Sequence, residues 1–288
     1  MAATKPVTIT RHESPMGRWE MALRKPHPAL RLHVRQYCGW FEHMGTALTR
    51  RELPTEEIPL VINFGAPVRV YEAGESDRFT DLGSFATGAY DAFVRVRSHG
   101  PSCGVQVNFT ILGSRLFLGR PLGELRNHAV ALDDLVGPYA RELEGRLRDA
   151  PDWDARFNLL DRAIGARLEA AVRPSASVLC MWHRILESRG AVSIGDVVGE
   201  TGWSQKHLIA RFKHEIGLAP KTMARVLRFG QAAAALRAGG RMADIAADCG
   251  YYDQAHFSRD FREFAGVTPG ELLASVLPDG AGIRAEPV

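Results

Sequence analysis

No stretch of this sequence approaches the ~18 consecutive apolar residues that a bilayer span requires. Met1 to Ile9 contains no apolar core of the kind that directs export. No membrane partner is expected, and the expected location is the cytoplasm. Cysteine is scarce: four residues, at 38, 103, 180 and 249, with no Cys-x-x-Cys pair. That spacing argues against a disulfide framework or a zinc knuckle and fits a reducing compartment. The histidines at 12, 27, 33, 43, 99 and 128 show neither His-x-His nor His-x-x-x-His spacing, so no metal and no other cofactor is expected. No Ser or Cys nucleophile motif appears, and the chain is not expected to be an enzyme. The net charge is only +3, which by itself says almost nothing about partners.

What is present has the length for two domains and an ordinary apolar fraction, 45%, sufficient for a sizeable core. The fold class expected is α+β: a β-rich barrel or sandwich with a helical segment, then an all-α C-terminal domain. Residues 1–134 read as mostly β. Short β-prone runs at Tyr37 to Glu42, Ile58 to Phe64, Val68 to Tyr71, Phe93 to Val96 and Gly104 to Phe109 lie between Pro and Gly breaks. Pro28 to Tyr37 and Leu112 to Leu118 read as short helices. Tyr37, Trp40, Phe41, Phe64 and Tyr71 are candidates to line a ligand pocket there, with a plain barrel core as the competing reading. Cys38, in apolar surroundings, is expected to be an inert core thiol.

Residues 135–174 read as helical. Leu135, Tyr139, Leu143 and Leu147 recur every four residues, and Asp152 is placed to cap a second helix from Trp153 to Val172. On that helix Phe157, Leu160, Ile164 and Leu168 form one stripe. It is expected to pack against a second protomer, giving a homodimer, with the N-terminal domain of the same chain as the alternative. Residues 175–277 are helical in pattern throughout. The tail, 278–288, has no periodicity and is expected to be disordered.

The most informative feature is an internal repeat. Residues 205–220 match 254–269 at an offset of 49: Gln205 with Gln254, His207 with His256, Phe212 with Phe261, Gly217 with Gly266, Pro220 with Pro269. A short apolar helix pattern and a glycine precede each copy. Each unit is therefore helix, turn, helix, the arrangement that places a second helix in a DNA groove. Leu208 and Phe212, like Phe257 and Phe261, anchor one face. Gln205, Lys206 and His207, and Gln254, Arg259 and Arg262, make the other face polar, as major-groove entry requires. A helix opened by Pro220 and stopped by Gly239-Gly240 joins the units, holding both recognition helices on one DNA face about one duplex turn, ~34 Å, apart. Ten basic against five acidic residues between Ser204 and Arg262 concentrate positive charge in this segment. Arg225 and Arg228 on the joining helix read as ordinary surface charge.

The run Ser204-x-x-x-Leu208-x-x-x-Phe212-Lys213-x-x-x-Gly217-x-x-Pro220, then Ile245-Ala246-x-x-x-Gly250-Tyr251, then Phe257-x-Arg259-x-Phe261-Arg262-x-x-x-Gly266-x-Thr268-Pro269 resembles the arabinose-regulator (AraC/XylS) family of bacterial transcription factors. The resemblance covers about Ser177 to Leu273. It implies seven helices with two helix-turn-helix units, double-stranded DNA as partner, contact with RNA polymerase, and an N-terminal sensor for an unidentified small-molecule effector. It assigns base contacts to Gln205, Lys206, Ile209 and Ala210 in the first unit and to Asp253, Gln254 and Arg259 in the second. Ser204, His207, Arg211 and His256 are assigned to bases or phosphates, and Lys213 and Arg262 to phosphates. One departure is Ala210, where the first unit often carries arginine; here the arginine is Arg211, about 100° further round the helix. Two other functions compete: a cupin-like enzyme fused to a DNA-binding module, and an alkylation-response sensor acting through Cys38.

Overall fold

The computed structural model describes residues 6–14, 17–45, 47–98, 100–277 and 282–285. Eleven strands come first: β1 (Thr8–Ser14), β2 (Gly17–Arg24), β3 (Val34–Met44), β4 (Leu48–Glu52), β5 (Glu57–Asn63), β6 (Val68–Tyr71), β7 (Phe79–Leu82), β8 (Phe85–Thr87), β9 (Val94–Ser98), β10 (Ser102–Thr110) and, after helix α1 (Ile111–Leu118), β11 (Ala129–Ala131). They form two antiparallel sheets, ordered β1-β2-β3-β10-β5-β8-β11 and β4-β9-β6-β7. Val61 and Phe85 of the larger sheet meet Val68, Val70, Leu82 and Val94 across the gap, so the sheets face each other as an open barrel.

Strand alternation assigns the two faces of the larger sheet. Tyr37, Val105, Val107, Ile58, Leu60 and Ile62 are buried on its outer face in the main core. Helices α1, α2 (Leu132–Val136), α3 (Tyr139–Arg148) and α4 (Trp153–Glu169) follow the strands. Asp152 caps α4 by accepting the Ala155 N–H at 2.7 Å. Trp153 lies on Gly39, where a Cβ would fall 2.3 Å from its ring. Asp161 accepts from the Tyr37 hydroxyl at 2.9 Å and pairs with Arg24 at 2.5 Å. These contacts lay α4 along the sheet. Phe157, Leu160 and Ile164 are fully buried within the chain, so the stripe is not a surface for a second protomer; it packs on its own N-terminal domain.

Among the described residues seven more helices follow: α5 (Ala176–Glu187), α6 (Ile194–Thr201), α7 (Gln205–Ile216), α8 (Pro220–Arg237), α9 (Met242–Asp248), α10 (Gln254–Ala265) and α11 (Pro269–Ala274). Their apolar faces join the same hydrophobic cluster as α1 and α4, so one continuous core links the two halves.

Three local expectations are corrected. Pro28 to Tyr37 is not a helix. Only Pro28–Leu30 forms a 3-10 turn, and the carbonyl of His33 accepts from Thr110 N–H at 2.9 Å as the chain enters β3. The helix expected from Leu135 is divided at Gly137-Pro138, where Gly137 takes φ +62°. The tail is structured at residues 282–285: Arg51 N–H donates to the Ile283 carbonyl at 2.8 Å, and Ala285 N–H donates to that of Thr49 at 3.0 Å. Ile283 is buried. Edge pairing with β4 thus orders a segment whose sequence shows no period. Residues 278–281 and 286–288 lie outside the described residues.

Candidate nucleic-acid interface and effector cavity

Each recognition helix begins at a side-chain cap. Ser204 Oγ accepts the His207 N–H at 3.3 Å, and Asp253 Oδ1 accepts the His256 N–H at 2.6 Å. Asp253, offered by resemblance as a base contact, thus uses one carboxylate oxygen as a cap. In α7, Leu208 and Phe212 are fully buried while Gln205, Lys206, His207, Ala210, Arg211 and Lys213 are exposed; Ile209 is half-buried. In α10, Phe257, Phe261 and Phe264 are fully buried while Gln254, Arg259 and Arg262 are exposed and His256 is half-buried. Both helices therefore hold an apolar side in the core and a polar side in solvent. Arg211 is tied to its own helix, its Nε donating to Glu215 Oε1 at 2.7 Å.

Tyr252, next to the cap of α10, is 93% exposed, and Trp203 is its counterpart at the repeat offset, packed edge-on against His207 at 4.5 Å between centroids. The 49-residue offset that matches Gln205 with Gln254 is the signal in the sequence that picks out this pair.

The joining helix α8 is not merely a spacer. Arg225 forms a forked pair with Glu263 and donates to the buried Asp260 at 2.8 Å, and it lies over the Phe264 ring. Arg228 lies over the Tyr251 ring. Arg225 is therefore a structural tie between α8 and α10 rather than ordinary surface charge.

The far ends of both recognition helices dock on the N-terminal domain. At the end of α7, Glu215 is fully buried, pairs with the buried Arg115 of α1 at 3.3 Å, and its carbonyl accepts the Leu122 N–H. Gly217, with φ +104°, follows; a Cβ there would stand 3.3 Å from the Leu122 carbonyl oxygen and 3.6 Å from Ala89. At the end of α10, Arg51 Nη1 donates to the Ala265 carbonyl at 2.6 Å, and its guanidinium stacks on Phe93 at 4.1 Å. Burial holds the Arg51 pKa below its ordinary value. A Cβ on Gly266 would fall 2.3 Å from the Phe93 ring. The matched glycines of the repeat thus each abut the segment Ala89 to Phe93.

Between the sheets lies a cavity of about 450 Å³, within the range of small-molecule sites. Gly88 and Tyr90 line it, and so do Arg50 and Glu52, the strand neighbours of Arg51. Of the five pocket candidates Trp40 and Phe41 are in its wall. Tyr37 is on the opposite face of β3, against Phe157. Tyr71 alternates with the inward Val70 and lies under Arg95. Phe64 follows the end of β5, its N–H bonded to the Cys103 carbonyl. A pattern of aromatic residues does not reveal which strand face meets the second sheet. Cys38 lines the cavity too; burial pushes its thiol up to about 11, which removes the activated thiolate that an alkylation sensor needs. Among the described residues no group of three or more His, Cys, Asp or Glu could hold a metal ion, and no helix is long and apolar enough to cross a membrane.

Residues 197–275 match the model of a helix-turn-helix domain family. The uncharacterized HTH-type transcriptional regulator YbfI of Bacillus subtilis (strain 168) is 35% identical over 65 residues, 23% of this chain and 24% of that protein. The match thus spans about a quarter of the curated relative's length. Among solved structures, ToxT from Vibrio cholerae O395 aligns over 81% of this chain and 96% of its own at 12% identity and a TM-score of 0.47. The AraC-like transcriptional activator CuxR aligns over 83% and 98% at 16% identity and a TM-score of 0.35. Residues 197–275 of this chain are thus similar to a helix-turn-helix domain. That domain and the regulator relative support DNA-binding transcription regulation.

Proposed function

We propose that this chain is a sequence-specific transcription regulator that reads two neighbouring major-groove segments of one duplex and answers to a small molecule held between its sheets. The observation that carries the reading is the repeated one-sided burial of α7 and α10: phenylalanines inside, Gln205 and Lys206, or Gln254 and Arg259, outside. A helix exposed in this way offers amide and guanidinium groups to base edges, while Lys213 and Arg262 supply charge for phosphates.

Response to an effector is supported by continuity between cavity and helix ends. Along β4, Arg50 and Glu52 line the cavity while Arg51 holds the end of α10. In the segment 88–93, Gly88 and Tyr90 line the cavity while Ala89 and Phe93 meet Gly217 and Gly266. A ligand that shifts either segment by a fraction of an ångström changes the packing beneath both recognition helices.

Selection of bound duplexes from a random oligonucleotide pool tests the reading. Enrichment of a bipartite site, its two elements about 10 base pairs apart, is expected. A pool that stays random after repeated rounds overturns it.

A further inference from the structure

Each helix-turn-helix unit turns on a glycine in the left-handed region, Gly202 at φ +67° in the first and Gly250 at φ +71° in the second. The first unit then reaches its cap at Ser204 and the second at Asp253. Trp203 alone lies between glycine and cap in the first turn, whereas Tyr251 and Tyr252 lie between them in the second. The second turn is therefore longer by one residue, and ring packing identifies which. Trp203 follows its glycine and meets His207 edge-on at 4.5 Å between centroids. Tyr251 follows its glycine and meets His256 edge-on at 5.2 Å. The two histidines are equivalent, since each donates its backbone N–H to the cap of its own helix.

Tyr251 thus takes the place in space that Trp203 takes in the first unit, although the 49-residue offset aligns Trp203 with Tyr252. It is buried, packs against Phe257 and lies under Arg228. Tyr252 is the extra residue. At 93% exposure it stands further into solvent than any other large apolar side chain among the described residues. The fold makes no use of its ring or its hydroxyl. It precedes the cap of α10, at the end by which a recognition helix enters the major groove. Base edges are reached from the exposed side of the helix itself, so a side chain one position before the cap stands at the lip of the groove, where sugar and phosphate lie. Tyrosine suits that place: the ring covers a deoxyribose and the hydroxyl donates to a phosphate oxygen. Asp253, beside it, turns one carboxylate oxygen into the helix as its cap and has no proton to offer a phosphate.

We propose that Tyr252 clamps the second unit to the DNA backbone, its ring laid on a deoxyribose and its hydroxyl donating to a phosphate, and that the first unit, with its shorter turn, has no equivalent. The clamp rests on the DNA-reading function of α7 and α10 given above and adds to it a neutral contact that carries no sequence information.

Full-length Tyr252→Phe and Tyr252→Ala, titrated against the selected duplex and a scrambled one at several salt concentrations, test the clamp. Both variants are expected to melt within about two degrees of the parent, because the side chain is almost wholly in solvent. Tyr252→Phe is expected to bind both duplexes about fivefold more weakly, and Tyr252→Ala about thirtyfold. The salt slope is expected to stay at the parent's value, since a neutral side chain releases no counterions; this separates Tyr252 from Lys213. In a scan of single methylphosphonate substitutions along the selected duplex, one position is expected to weaken the parent about fivefold more than it weakens Tyr252→Phe, because the two changes remove the same hydrogen bond. Unchanged affinity of Tyr252→Ala overturns the proposal, and so does a loss confined to the selected duplex, which makes the residue a base reader. A shallower salt slope, or a methylphosphonate scan with no position at which the parent and Tyr252→Phe differ, also overturns it. A parent that binds DNA while its variants match it removes the clamp alone; a parent that binds neither duplex removes the DNA-reading function and the clamp with it.

Discussion

Arg51 and Ala265 are 214 positions apart in sequence, and a 2.6 Å hydrogen bond from the guanidinium of one to the carbonyl of the other joins the barrel to the last turn of the second recognition helix. The same side chain reaches the Ala285 carbonyl at 3.2 Å and covers the Phe93 ring. Arg51→Ala removes a charged donor from the buried Ala265 carbonyl and the half-buried Ala285 carbonyl. It is expected to lower stability by about 2–3 kcal/mol, read from the urea midpoint at unchanged slope. A midpoint equal to that of the parent would show that the bond holds nothing in place.

Glu215 and Arg115 form the corresponding tie at the first recognition helix, and both are buried. Glu215→Ala leaves the buried Arg115 guanidinium without its carboxylate, only the hydrogen bond to the Val172 carbonyl remaining, at an expected cost of about 3–5 kcal/mol. The double variant Arg115→Met, Glu215→Leu is expected to recover most of that loss, because the penalty belongs to the unpaired charge. Equal destabilisation of single and double variants would assign the effect to packing instead.

On the DNA side, Arg259→Ala is expected to lose about 1–3 kcal/mol of specific affinity and to relax preference at one base position. Lys213→Ala is expected to weaken binding to all sequences alike and to reduce the salt slope by about 1. Titrations against the selected duplex and a scrambled one, at several salt concentrations, check both. An Arg259 variant with intact sequence preference, or a Lys213 variant with an unchanged slope, contradicts its assignment.

Much of the DNA-binding half was legible because short-range rules govern it. Asp152, Ser204 and Pro220 open their helices as caps and first-turn residues do, and the phenylalanines of the repeat recur on the buried side. Two residues broke the pattern and were overlooked. Glu215 shares the buried face of Leu208 and Phe212, and Asp260 that of Phe257 and Phe264. An acid on an apolar stripe was the available signal for a buried tie. The cavity was less legible. Tyr37 and Trp40 are equally aromatic three residues apart, yet only long-range strand pairing decides which one faces the second sheet. The strands β1, β2, β4, β7, β8 and β11 carry weaker β patterns and owe their form to the neighbours they pair with.

Glu57 gives a pH signature. Burial raises its pKa above the ordinary carboxylate value, with Glu56 adding to the rise and Arg35, Lys25 and Asn108 opposing it. A group whose folded pKa is raised favours folding while protonated and loses that contribution as pH climbs through the folded value. Glu57→Gln is therefore expected to raise the melting temperature at pH 8 and to have little effect at pH 4. Melting curves at the two values check it; a gain of the same size at both would rule out a charge origin.

Cys38, with its thiol pushed up to about 11 by burial, holds roughly a hundredfold less thiolate at pH 8 than an exposed cysteine. Alkylation of the native chain by iodoacetamide, followed by peptide mass spectrometry, is expected to leave Cys38 largely unmodified at pH 8 and to accelerate with each unit of pH. Prompt labelling at neutral pH would restore the alkylation-sensor reading.

The short return of residues 282–285 to the edge of β4 holds the helical half to the barrel beyond α11 as well as where α4 leads into α5. A unit fastened at both ends cannot swing as if on a leash. Together with the Arg51–Ala265 bond and the Arg115–Glu215 pair, these fastenings oppose displacement of the helical half as a rigid body relative to the barrel.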